Sequence, residues 1–158
     1  MTESTVRFGR LSEVPLAEID AHMSDSRLVA HMPLLQGLSW DRATSEAFVA
    51  GKEAAWARDG LGVWALFSNE VYVGWGGFQR EGSDWDYALV LRPEAFGLGL
   101  RITRQAFAWA RSDARIKSAT FLLPPSRRHL GALRRMGAQA EGEVDYAGAR
   151  FLKFRLRF

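Results

Sequence analysis

The residues best suited to do chemistry lie in the run WDYALVLRPEAFGLGLRITRQAFAWA, residues 85–110. It reads as a strand, a short loop carrying Gly97-Leu98-Gly99, and a helix in immediate succession. The first backbone N–H groups of a helix lack intrahelical partners and sit at the positive end of its dipole, so they form an anion site. Glycines let a phosphate approach that site closely, and a pyrophosphate is the natural guest. A Gly-x-Gly pair alone is equally explained by a tight strand-to-helix turn with no ligand. A dinucleotide fingerprint requires a third glycine, and Ile102 stands in its place, so that reading fails.

The elements that must position this segment are legible around it. Thr5 to Leu11 reads as a short strand. Pro15 to Met23 and Arg27 to Met32 read as short helices separated by Ser24-Asp25-Ser26. Ser39 and Asp41 are candidate N-caps for a helix from Arg42 to Arg58 that stops at Asp59-Gly60. Val63 to Phe67 and Val71 to Phe78, rich in Val, Trp, Tyr and Phe, form a hairpin across Ser68-Asn69-Glu70. Trp85 to Leu91 is a third strand, ended by Pro93.

From Leu100 to Arg111, Leu100, Thr103, Phe107 and Ala110 fall near one helical face. Ile116 to Leu123 is a buried strand stopped by Pro124-Pro125, and a short helix runs from Ser126 to about Met136. At the end of the chain, Leu152, Phe154, Leu156 and Phe158 alternate with Lys153, Arg155 and Arg157, giving a strand with a core face and a cationic face. Strands interleaved with helices in this order indicate a single α/β (α+β) domain with a mixed sheet.

Composition narrows the chemistry. The chain has 158 residues, 47% hydrophobic and 25% charged, which suits one soluble domain over residues 1–158. No apolar run is long enough for a membrane span, and the first residues lack the apolar stretch of a signal peptide, so a cytoplasmic protein with no membrane partner is expected. Without cysteine there is no disulfide, thiolate ligand or Cys nucleophile. His22, His31 and His129 are too scattered for a local metal motif, so no metal is expected. Residues 1–100 carry 8 Lys/Arg and 14 Asp/Glu, against 13 and 4 in residues 101–158. The basic residues make no long run and accompany no nucleic-acid motif, which points away from a nucleic-acid partner.

Pro93, Phe96, Gly97, Leu98 and Gly99, following a strand and opening a helix, resemble the cofactor loop of the GNAT superfamily of acyl-CoA-dependent N-acetyltransferases, in the branch similar to ribosomal-protein N-terminal acetyltransferases. Val73-Gly74-Trp75-Gly76-Gly77-Phe78, and Leu133-Arg134-Arg135-Met136-Gly137-Ala138 followed by Glu141-Gly142, extend the resemblance over nearly the whole chain. It implies a mostly antiparallel mixed sheet of about six to seven strands flanked by helices. It further implies acetyl-CoA as cosubstrate, with backbone groups of Val90 and Leu91 on the acyl-pantetheine arm. The backbone of Phe96, Gly97, Leu98, Gly99, Leu100, Arg101 and Ile102 would hold the pyrophosphate. Arg101, Arg104, Arg127, Arg128, Arg134 and Arg135 are candidates to meet the cofactor's phosphates.

The sequence departs from the family pattern in places. Phe96 stands where a basic or polar residue is usual, and Arg101 where a small one is. Ser126 corresponds to an Asn that often binds the pantetheine arm, and Leu133 to a Tyr that often serves as general acid.

The implied reaction is direct attack by a neutral primary amine on the acetyl thioester in a ternary complex. Asp86 aligns with a strand carboxylate of the family and is the candidate base, with Asp84 next in line. Ser126 and Tyr146 are the candidate acids, and Ser126 doubles as a cofactor contact. His31 and Trp75 are candidate acceptor-side residues, and the acidic first part of the chain hints at a cationic acceptor. Edge strands and aromatics permit a homodimer. Two other readings remain: a non-catalytic acyl-CoA-binding sensor keeping the glycine loop without an effective base, and a nucleic-acid module using the basic face of the last strand.

Overall fold

The computed structural model describes residues 5–125 and 130–158. Its strands are β1 (Arg7–Gly9), β2 (Val63–Ser68), β3 (Val71–Glu81), β4 (Asp84–Leu91), β5 (Ser118–Leu123), β6 (Gln139–Tyr146) and β7 (Ala149–Arg157). Its helices are α1 (Leu16–Met23), α2 (Ser26–Val29), α3 (Arg42–Asp59), α4 (Gly99–Arg111) and α5 (Gly131–Arg135). The strands form one seven-stranded sheet in the order β1-β2-β3-β4-β5-β7-β6. Only β4 and β5 run parallel, because α4 carries the chain back across the sheet between them.

Local chemistry accounts for the long helix and the first hairpin. Asp41 caps α3 by accepting the Thr44 amide at 2.8 Å, and Gly60 ends the helix in the left-handed conformation at φ 71. The β2–β3 turn places both Asn69 and Glu70 at positive φ, 51 and 62, the geometry of a tight two-residue hairpin.

Successive strand residues face opposite sides, which splits the core in two. Phe78, Tyr87, Leu91, Phe121 and Phe154 pack on one face against Ile102, Ala106, Phe107 and Ala110 of α4. Ala65, Trp75 and Val90 pack on the other with Ile19 and Met23 of α1 and Leu28 of α2. The buried face of α4 is thus shifted from the expected one. Leu100 is 47% exposed at the mouth of the helix, and Thr103 instead bonds the Tyr87 hydroxyl at 2.9 Å. Leu133 packs against the first core, as an apolar side chain should. Among the described residues no helix is long and apolar enough to cross a membrane.

Candidate functional site

The sheet opens where β4 meets β5. These strands share one registered pair, Asp86 with Thr120, whereas β4 stays paired with β3 as far as Leu91 opposite Gly74. Arg92 donates its amide to the Val73 carbonyl at 2.8 Å. Backbone groups alternate sides along an antiparallel ladder, so Val90 turns its amide and carbonyl to β3, while Leu89 and Leu91 turn theirs toward the opening. Of the two residues expected to present backbone to an acyl arm, Leu91 therefore holds the open edge, joined by Leu89, and Val90 serves the sheet.

Pro93–Leu98 is a 3-10 turn that runs directly into α4. Neither Gly97 nor Gly99 has a positive φ; Gly99 is helical at −56. A Cβ at Gly97 would meet nothing within 4 Å, and one at Gly99 would make ordinary contacts with Leu91 and Leu89 at 3.8 and 3.9 Å. The chain's own turn therefore does not require either glycine. What they contribute is bare backbone beside the open end of β4.

Gly99 donates its amide to the Phe96 carbonyl, and Ala95 its amide to Arg92. Part of the amide set assigned to an anion is thus closed on the turn itself. Phe96 is 47% exposed at this mouth, its ring edge-on to His31 with centroids 6.2 Å apart. Arg27 ties α2 to the same turn through Glu94 at 2.5 Å. Leu98 is partly buried against the first core, and Ile102 is fully buried in it, so any part they play toward a ligand is through backbone.

Asp86 accepts the Thr120 hydroxyl at 3.0 Å. Burial pushes its carboxyl up to about 7, against the lowering effect of that hydrogen bond and with a smaller push from Glu81. A carboxylate poised near neutrality can accept a proton at physiological pH. Asp84 differs. Arg155 at 3.0 Å and Lys153 at 3.3 Å hold it below the usual range, so it is an ion-pairing residue rather than a reserve base. Arg155 also pairs with Glu141 at 3.0 Å, so the cationic face of β7 is largely neutralised within the fold. Tyr146 donates its hydroxyl to Glu81 at 3.1 Å, tying the β6–β7 hairpin to β3.

Above the sheet, Lys52 of α3 donates to the Gln79 side chain, the residue registered directly opposite Asp86. Its ammonium lies 4.9 Å from the Trp75 ring centroid and 5.4 Å from that of Phe48. Trp75 itself is 6% exposed, with its indole N–H on the Met23 sulfur at 3.4 Å, so Lys52 rather than Trp75 is what the neighbouring groove presents. In the same core as Trp75, buried His22 contacts the Tyr72 hydroxyl through Nδ1 at 2.7 Å, and burial pushes the imidazole down to about 4.

Leu91 and the 96–102 segment lie together at the C-terminal end of β4, with His31 against Phe96, whereas Asp86 stands five residues back on the same strand, at its pair with Thr120. Ser126, Arg127, Arg128 and His129 lie outside the described residues. Sequence reasoning missed Thr120, Lys52 and Gln79. Thr120 is a lone hydroxyl in an apolar strand, and only the register puts it on Asp86. Phe48 and Lys52, four apart on one helix, were the available sign of a shared face. Among the described residues no group of three His, Asp or Glu is placed to hold a metal ion.

No protein-family model matches the sequence, and no curated protein is detectably similar to it. Solved structures do match over nearly the whole chain. RimL, a ribosomal-protein α-N-acetyltransferase in complex with coenzyme A, superposes with a TM-score of 0.77 at 14% identity, covering 98% of this chain and 95% of its own. A GNAT-family acetyltransferase from Bacillus anthracis gives 0.69 at 14% identity, covering 98% and 96%. The aminoglycoside acetyltransferase AAC(6')-Ib in complex with coenzyme A gives 0.70 at 15% identity, covering 98% and 95%. At such identities the likeness is one of fold.

Proposed function

We propose that this chain, whose fold is that of the GNAT-family acetyltransferases, transfers an acetyl group from acetyl-CoA directly to a primary amine. The observation that carries the reading is Asp86. It is a carboxyl held near neutrality by burial, on the strand whose backbone edge lies open beside a glycine-bearing turn.

Acetyl-CoA, when bound, supplies the activated acetyl carbon. The backbone of Gly97 and the first turn of α4 suits its pyrophosphate, because nothing in the chain fills the space a Cβ would take at Gly97. The outward-turned backbone of Leu89 and Leu91 suits an extended amide-bearing arm, as a strand edge pairs with another strand. A fixed backbone N–H on that edge can stabilise the oxyanion that develops as the amine attacks. Asp86, ionised, takes a proton from the acceptor ammonium or the attacking amine, and Thr120 fixes the carboxylate's orientation. As the new C–N bond is completed the thioester C–S bond breaks, and the sulfur departs as the thiolate of CoA, which takes up a proton from water. The absence of cysteine is compatible with direct transfer.

Calorimetric titration of the folded protein with acetyl-CoA and CoA tests the reading, followed by a thiol-release assay over a panel of amines. Saturable binding and amine-dependent thiol release are expected. A folded protein that binds neither nucleotide would overturn it.

A further inference from the structure

Ala47, Phe48, Gly51, Lys52 and Ala55 of α3 face Gln79, Arg80 and Glu81 at the end of β3 across a groove of about 330 Å³, which Arg58 also lines. Its charged lining is three cations and one carboxylate. Most of these charges are already engaged. Arg58 pairs with Asp59 at 2.8 Å, Arg80 donates to the Gly82 carbonyl at 3.2 Å, and Glu81 accepts from Tyr146. Lys52 and Arg80 each have only an uncharged oxygen as hydrogen-bond acceptor, and of the two Lys52 is the more deeply buried. The Lys52 ammonium has an amide oxygen and two aromatic faces for company; Glu81 and Asp86 act on it at longer range, and among the described residues no carboxylate lies within ion-pairing distance of it.

We propose that this groove seats the anionic group of the acceptor, so that the acceptor is a primary amine that also bears a carboxylate, with the carboxylate on Lys52 and the amine toward Asp86. The inference rests on the acetyl-transfer reading and names the substrate class of that same site. Gln79 links the two ends: it binds Lys52 through its side chain and stands opposite Asp86 in the β3–β4 register. An acceptor whose charges are all positive would face Lys52, Arg58 and Arg80 in this groove, and like charges at close range disfavour it. A carboxylate-bearing amine meets a complementary charge at each end. Burial holds the Lys52 ammonium below its usual basicity, and an anion seated on it reverses that penalty. The net negative charge of the first hundred residues suggests a cationic acceptor, but the local lining has the opposite sign.

The carboxylate can belong to a free amino acid or to a peptide with an acidic residue near its N-terminus, and matched acceptor pairs separate these sources. The first arm compares glycine and glutamate with their α-amides. The second compares tripeptides with an acidic second residue with the same peptides bearing the side-chain amide, and spermidine serves as the polycation. Thiol release gives kcat/KM for each.

In at least one arm, the carboxylate-bearing acceptor is expected to exceed its amide by about tenfold or more. Lys52→Met should erase that preference through KM, and Lys52→Arg should retain part of it, with circular dichroism reporting that each variant is folded. Equal use of acid and amide, a preference for spermidine, a preference unchanged in folded Lys52→Met, or no turnover of any carboxylate-bearing acceptor by a protein that binds acetyl-CoA would overturn the proposal. Failure to bind acetyl-CoA at all would instead sink the acetyl-transfer reading on which it stands.

Discussion

Thr120 donates its hydroxyl to Asp86 at 3.0 Å across the one registered pair that joins β4 to β5, and the strands part beyond it. The bond favours the ionised carboxylate while burial disfavours it, and burial wins, leaving the group near 7. The pH profile of acetyl transfer is therefore expected to rise through about pH 7 as Asp86 ionises. Asp86→Asn should lower kcat by about 10²–10⁴-fold and flatten that limb. Thr120→Val, which removes the stabilising donor, should move the limb upward by up to about one pH unit. Initial rates at saturating acceptor across pH 5.5 to 9 check all three, and undiminished turnover in Asp86→Asn would remove Asp86 from the chemistry.

The same group affects stability, and His22 opposes it. Asp86 has a higher pKa folded than unfolded, so its stabilising contribution is present at low pH and lost as pH rises from about 4 to about 7. His22, 1% exposed and pushed down to about 4, contributes above about 6.5 and loses that contribution as pH falls toward 4. Over their shared window the two slopes have opposite signs and largely cancel. Asp86→Asn leaves the histidine slope alone: urea midpoints of the variant should climb between pH 4.5 and 6.5. At pH 8 the variant should exceed the wild type by on the order of 2–4 kcal/mol. Parallel wild-type and variant curves would show that Asp86 is not held protonated by the fold.

Gly97 and Gly99 separate folding from binding. Gly99 is already helical and has room for a methyl group, so Gly99→Ala should stabilise the fold by about 0.5–1 kcal/mol. The same substitution should weaken acetyl-CoA binding, because the added Cβ occupies backbone that a phosphate must approach. Gly97→Val, whose Cβ meets no protein atom within 4 Å, should behave likewise in binding without loss of thermal stability. Thermal melts paired with calorimetry check this, and unaltered affinity in both variants would move the nucleotide away from this turn.

Much of the frame was legible because it is written in local patterns. The Asp41 cap and Gly60 stop of α3, the Asn69-Glu70 hairpin and the Leu152 to Phe158 alternation each depend on residues close in sequence. The glycine turn was found in the same way, whereas Asp86 was singled out by the family resemblance, as the match to a strand carboxylate. What escaped reading depends on sheet order. The split between an acidic first part and a basic end dissolves in the fold, because β7 lies beside β5, close to β4, and Arg155 and Lys153 meet Asp84 there. Asp84 was thereby changed from a reserve base to an ion-pairing residue. Lys52 could not be placed over Trp75, nor Thr120 beside Asp86, until helix packing and register were known. Of the expected core face of α4, Phe107 and Ala110 are buried, whereas Leu100 at the start of the helix is 47% exposed and Thr103 bonds Tyr87.

Gly74 supports the open edge from the neighbouring strand. It adopts φ +149, and a Cβ there would stand 2.4 Å from the Val90 carbonyl oxygen and 2.7 Å from the Leu91 Cα. Both obstacles are backbone, so the side chain cannot be accommodated by a rotamer change; the end of β4 must move or the strand must distort. Gly74→Ala is therefore expected to cost on the order of 2–4 kcal/mol in unfolding free energy. Any folded fraction should bind acetyl-CoA more weakly, since the displaced backbone is that of Leu91, which the opening presents. Gly97→Ala supplies the contrast, having open space for its methyl group and a normal φ. Urea unfolding of the two variants side by side checks the claim. Equal stability would mean that the strand end yields more readily than a hydrogen-bonded β3–β4 ladder permits.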